Sequence, residues 1–260
     1  MALSFREYGS GFPVVMLHAF PLDGRMWESN AASLAEEGYR VIVPDLTGFG
    51  RSEGGPTTVG MEYMAREVSE TVASLGIPKA VFCGLSMGGY VLLRLYDIFP
   101  LSFKALILCD TSARADSDEK REAREQMIET VESEGPGVLV ESMLPDLVSK
   151  KTLDGNEQLM SDLAEIVLEQ PSDSVCSALR GMAARPDSGP LLKEISIPTL
   201  LMFGEDDSVT GLDAANELLE GIPDARLETI EGAGHYSNLE APEEFDNHLI
   251  SFLKSLDLSR

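Results

Sequence analysis

The stretch VFCGLSMGGYVLLRLY, residues 81–96, opens as an apolar run and closes as a helical pattern, with Gly84-Leu85-Ser86-Met87-Gly88 at the join. A strand that becomes a helix this abruptly forces the turning residue into a strained backbone conformation. Side chains two positions before and after it would collide, so only small residues fit there. Gly84 and Gly88 supply that space, and Ser86 Oγ is then expected at the carboxyl end of a strand, where open α/β sheets place their ligands. Ser86 also begins a helix, whose free N–H groups favour developing negative charge. With 23 glycines in 260 residues, a G-x-S-x-G match arises by accident often enough that the motif needs support from the rest of the chain.

That support begins with the order of elements. VVMLHAF (14–20), YRVIVPD (39–45), AVFCGLS (80–86), KALILCD (104–110), PTLLMFG (198–204) and ARLETIEG (225–232) read as strands. Several are apolar at consecutive positions, as strands buried on both faces should be. Between them the spacing predicts helices over Asn30–Glu37, Met61–Leu75 and Met87–Phe99, and a closing helix over Glu243–Leu256. Alternating strands and helices imply an α/β fold: a mostly parallel sheet with helices on both faces. The alternation fails after KALILCD, where a charged helical pattern (SDEKREAREQMIETVESEG) contains no convincing strand. The chain is therefore expected to divide into a core of residues 1–113 and 188–260 and a helical cap insertion, 114–187, lying over the strand ends.

Composition narrows the partners. The chain carries 44 acidic and 20 basic residues, a formal net charge of −24. Such a surface repels phosphate backbones and anionic lipid heads, which excludes nucleic acid and membrane surfaces as expected partners and leaves small molecules. Cys83, Cys109 and Cys176 have no metal-like spacing, no HExxH or histidine cluster occurs, and no metal or cofactor is expected. TGFGRSEGG (47–55) starts like a dinucleotide loop, but Glu53 stands at the third glycine position and no helix follows. No leader or membrane-length apolar run is evident, so a cytoplasmic location is expected.

A serine hydroxyl needs a base in contact to act as a nucleophile. Of three histidines, His18 ends the first predicted strand and reads as structural, and His248 shares the last helix with Glu244, which suggests a surface site. His235, in the glycine-flanked EGAGHYSNLE after the last strand, suits the base. The imidazole needs an acceptor to hold its tautomer. GEDDSVT (204–210) offers Asp207 as the first choice, with Asp206 its near rival; Asp110 at the end of the preceding strand stays open. Oxyanion donors are expected from the backbone N–H of Met87 and, after the first strand, of Phe20. Trp27, just beyond that loop, is expected to border the substrate. Met127, Met143, Leu144, Leu147 and Met182 in the insertion read as core first and pocket second.

LHAFPLDGRMW, VIVPDLTGFGRS, GLSMGG, GEDDSVT and GAGHYSNLEAPEEF together resemble the α/β-hydrolase superfamily along nearly the whole chain. Within it, the chain looks most like the small cytosolic carboxylesterases and 3-oxoadipate enol-lactonase-like hydrolases. The family usually has His-Gly where this chain has His18-Ala19, implying a stiffer oxyanion loop. The resemblance implies hydrolysis of small carboxylic esters or lactones through an acyl-enzyme. Acyltransferases, perhydrolases and ligand-binding signalling proteins share these motifs and remain alternatives.

Overall fold

The computed structural model describes residues 2–258. Seven strands form one sheet: β1 (Phe5–Gly9), β2 (Phe12–Leu17), β3 (Tyr39–Pro44), β4 (Ala80–Leu85), β5 (Phe103–Cys109), β6 (Thr199–Gly204) and β7 (Ala225–Ile230), in the order β1-β3-β2-β4-β5-β6-β7. β1 runs antiparallel to β3, and every other neighbouring pair is parallel. Every residue of β4 and β6 is buried, which accounts for their unbroken apolar sequences. β1 was not predicted: FREYG is a half-exposed edge strand with charge at two positions, and its pairing with β3 is long-range.

The chain leaves β2 toward β3 on one side and returns to β4 on the other. The strand order therefore reverses between β2 and β4, and the crevice at their carboxyl ends is the place where an open sheet accommodates a ligand. The residues that follow those two strands are the His18–Phe20 loop and Ser86.

Four helices accompany the sheet where predicted, within about two residues: α1 (Glu28–Glu36), α2 (Met61–Ser74), α3 (Met87–Ile98) and the last helix, α11 (Pro242–Ser255). α1 packs on α11 and α2 on α3. Between β5 and β6 the chain forms α4 (Asp118–Glu134), α5 (Val138–Ser142), α6 (Lys150–Gly155), α7 (Glu157–Leu168) and α8 (Ser172–Ala183), without a strand. α9 (Gly211–Gly221) follows β6, and the short α10 (Ser237–Glu240) precedes α11. The helices of this insertion bury Ile128, Val131, Leu163, Val167 and Leu179. They also press on loops at the strand ends. Val59 N–H donates to the Ser177 carbonyl, and Ser177 Oγ to the Pro56 carbonyl at 2.7 Å. No helix among the described residues is long and apolar enough to cross a membrane.

Candidate active site

The elbow has the geometry its sequence demands. Ser86 lies at φ 52°, ψ −111°, one of two non-glycine residues with positive φ among those described. A Cβ on Gly84 would fall 2.6 Å from the Gly88 carbonyl carbon, and one on Gly88 would fall 2.3 Å from the Leu17 carbonyl oxygen. Both glycines are thus obligatory for steric reasons. The turn is pinned on each side: Ser86 N–H donates to the Cys109 carbonyl at 2.9 Å, and Thr111 Oγ donates to the Ser86 carbonyl at 2.8 Å. Along residues 80–93, Ser86 alone is not buried, so the strand–helix junction reaches solvent at this residue.

Met87 and Phe20 are both buried, and neither backbone N–H has a hydrogen-bond partner among the described residues. Buried N–H groups are almost always satisfied, so these two unpaired donors after β2 and β4 are available to an external acceptor. His18 is spent on structure instead. Its Nδ1 lies 2.9 Å from the Ala19 carbonyl and its Nε2 accepts from Leu46 N–H at 2.9 Å. Desolvation lowers its pKa despite the Ala19 bond, keeping the ring neutral.

Asp207 and His235, from the loops after β6 and β7, meet as a buried pair. His235 Nδ1 lies 3.1 Å from each carboxylate oxygen. Asp207 also accepts from Val209 N–H at 2.8 Å, Thr210 N–H at 3.2 Å and the Thr210 hydroxyl. Burial pushes its carboxyl up, but attraction to His235 and the hydrogen bonds from His235, Thr210 and Val209 outweigh this and hold it well below the usual carboxylate range. With Nδ1–H donated to Asp207, the imidazole keeps Nε2 free to accept a proton, and no hydrogen bond joins it to the Ser86 hydroxyl among the described residues. Asp206, its sequence rival, is exposed.

Asp110 is fully buried at φ 44° and does not reach the histidine ring. It accepts from Gly204 N–H at 2.7 Å and contacts the Ser237 hydroxyl. Desolvation, then the neighbouring Asp207 charge, raises its pKa well above normal.

Three ties bring these loops together, and none was read from the sequence. The Tyr236 hydroxyl donates to the Phe20 carbonyl at 3.1 Å, joining the histidine loop to the loop after β2. Ser237 joins it to the end of β5 through Asp110. Glu240 joins it to the insertion: Oε1 accepts from Gly234 N–H and Oε2 from Ser149 N–H, both at 2.8 Å. A Cβ on Gly234 would stand 2.4 Å from Ser149 N, so the two backbones are in direct contact. Glu240→Ala strands two N–H groups and is expected to cost about 2–4 kcal/mol by denaturant unfolding, with kcat lowered as His235 loses its support. Glu240→Gln keeps one acceptor and should cost about half as much.

Trp27 requires a correction. It is fully buried at the end of a 3-10 turn, Gly24–Trp27, with its ring 5.9 Å from that of Phe245 on α11. Its full burial places it in the core and not at a surface that a ligand could touch. In the insertion, Leu144, Leu147 and Met182 are buried in its packing while Met127 and Met143 are half-buried.

Comparison with known proteins agrees with this frame. The model of the alpha/beta hydrolase family matches residues 14–247, and the chain belongs to that family. It is similar to a thermophilic esterase from Thermogutta terrifontis solved with malate bound (TM-score 0.94, 38% identity, covering 97% of this chain and 93% of that one). The enol-lactonase from Burkholderia xenovorans LB400 superposes with a TM-score of 0.90 at 26% identity, covering 97% and 96% of the two chains. In sequence the chain is 30% identical to 3-oxoadipate enol-lactonase 1 of Acinetobacter baylyi over 243 residues, 94% of this chain and 89% of that protein.

Proposed function

We propose that this protein hydrolyses small carboxylic esters or lactones through an acyl-enzyme on Ser86. His235 Nε2 takes the Ser86 proton as Oγ attacks the carbonyl carbon. The carbonyl oxygen becomes an oxyanion, received by the N–H groups of Phe20 and Met87. As the C–O bond breaks, the protonated His235 returns that proton to the leaving alkoxide, which departs as the alcohol or, for a lactone, stays tethered to the acyl group. Water then attacks the acyl-enzyme with His235 again as base, and Ser86 recovers its proton as the carboxylic acid forms. Asp207 holds the imidazole in the required tautomer and stabilises its charged form. The observation that supports this reading best is the Nδ1–carboxylate contact of His235 with Asp207, 3.1 Å to each oxygen, on loops tied to the strand ends beside Ser86.

The experiment is active-site labelling. An alkyl fluorophosphonate should inactivate ester hydrolysis with one equivalent incorporated. Trypsin should then yield the adduct on Ala80–Arg94, a peptide whose one serine is Ser86. Full modification that leaves hydrolysis intact, or inactivation with the label on another peptide, would remove Ser86 from this role. Panels of acyl chain length and lactone ring size, run on the unlabelled enzyme, then rank substrates within the class.

A further inference from the structure

The acidic character of the molecule is interrupted at the end of the sheet opposite Ser86. Parallel strands present all their amino ends at one edge, and there β3, β2, β4 and β5 begin side by side. A cavity of about 620 Å³ opens among these strand starts. Its apolar wall is made by Phe12, Pro13, Ile77 and Pro78, and its charged wall by Arg40, Lys79 and Lys104. No Asp or Glu lines it, in a chain with 44 acidic against 20 basic residues. Arg40 is already engaged, its Nε 2.7 Å from Glu7. The ammonium groups of Lys79 and Lys104 have neither an ion-pair nor a hydrogen-bond partner among the described residues.

Lys104 is set there by a break in register. Ala80 pairs with Phe103 and Val81 with Ala105, so Lys104 is an extra residue on β5 with no partner on β4. Such a bulge is uncommon between parallel strands, and its effect is to re-aim a side chain. Lys79 directly precedes β4, so the starts of two adjacent strands each contribute a lysine without an ion-pair partner to the same apolar-walled cavity. An anion seated between them would be attracted by both. Glu7, held by Arg40, is an acid at the margin of this wall, and beyond the roughly 8 Å screening length at physiological salt exposed charges are largely screened, so an anion between the two lysines responds chiefly to their ammonium groups. The volume falls within the range of about 300–1,000 Å³ typical of small-molecule sites.

We propose that this cavity is a second ligand site, separate from the Ser86 crevice, which takes an amphipathic carboxylate. The hydrocarbon part lies on Phe12, Pro13, Ile77 and Pro78, and the carboxylate sits between Lys79 and Lys104. One charged head on an apolar tail matches the division of the walls, and a compact, multiply charged anion would leave the apolar wall wet.

The test uses decanoate and the wild-type protein, followed by amide chemical shifts in isotope-labelled samples. Decanoate should perturb the amides of Gly76, Ile77, Lys79 and Lys104, and rising salt should weaken it. The double variant Lys79→Glu/Lys104→Glu should bind at this site with Kd raised roughly tenfold or more, a change on the scale of losing a charge-assisted contact. Decan-1-ol, with the same tail and no charge, should bind both proteins alike. The double variant should hydrolyse a short p-nitrophenyl ester at the wild-type rate, which confirms its fold and separates this site from the reaction. Perturbation confined to amides around Ser86, equal decanoate affinity in the double variant, or shifts at these amides on dilution without ligand, which would mark a face between two copies of the chain, would each overturn the assignment.

Discussion

Ser86→Gly is expected to abolish hydrolysis of a short p-nitrophenyl ester and, in the same protein, to raise the melting temperature. Loss of the nucleophile in a serine triad lowers turnover by about 10⁴-fold or more, leaving what binding and the oxyanion donors supply on their own. The stability effect has a separate origin. Ser86 is held at φ 52°, ψ −111°, a conformation that costs a residue with a Cβ about 1–3 kcal/mol and glycine almost nothing. Against this gain stands the greater freedom of glycine in the unfolded chain, about 0.4–1 kcal/mol. The Ser86 hydroxyl makes no hydrogen bond among the described residues, so its removal adds no further cost. At the middle of both ranges relief of strain wins by about 1 kcal/mol, or roughly 2–4 °C at this size. Ser86→Ala should be just as inactive without the thermal gain, because alanine keeps the Cβ. Residual turnover in either variant would dismiss Ser86 as nucleophile, and a lower melting temperature in the glycine variant would dismiss the strain.

The same constraint explains why the fold could be read from sequence. A residue at such an angle, between glycines that 2.6 Å and 2.3 Å contacts make obligatory, leaves a mark in five consecutive letters. Strands buried on both faces, β4 and β6, leave another, because nothing polar interrupts them. Both signals are local. The features that escaped are the non-local ones. β1 is recognisable only through its pairing with β3. Glu240 looks like one more surface acid until Ser149 arrives at 2.8 Å from 91 positions away. Trp27 sits close in sequence to the loop after β2, yet one 3-10 turn rotates it inward against Phe245. Neighbouring side chains on a turn diverge, so Asp206 and Asp207, indistinguishable as letters, end up exposed and buried respectively.

The three acids near the histidine provide the sharpest contrast. Asp207→Asn is expected to lower kcat/KM by about 10⁴-fold, because the amide offers its N–H₂ to Nδ1 and favours the tautomer that puts the ring proton on Nε2, where the base must be empty. Asp110→Asn should be close to silent. Burial without a cation partner, reinforced by the nearby Asp207 charge, favours the protonated acid at this position. An amide has the shape and the neutrality of that acid. Its oxygen can still accept from Gly204 N–H, and its N–H₂ can donate to Ser237. Asparagine also tolerates φ 44° better than most residues. Activity within about threefold of wild type and unchanged or slightly higher stability are therefore expected. Asp206→Asn, altered only at an exposed carboxylate, should change neither. Steady-state kinetics and thermal unfolding on the three variants settle the matter: a large loss in Asp110→Asn together with a mild one in Asp207→Asn would move the acid of the triad from the end of β6 to the end of β5.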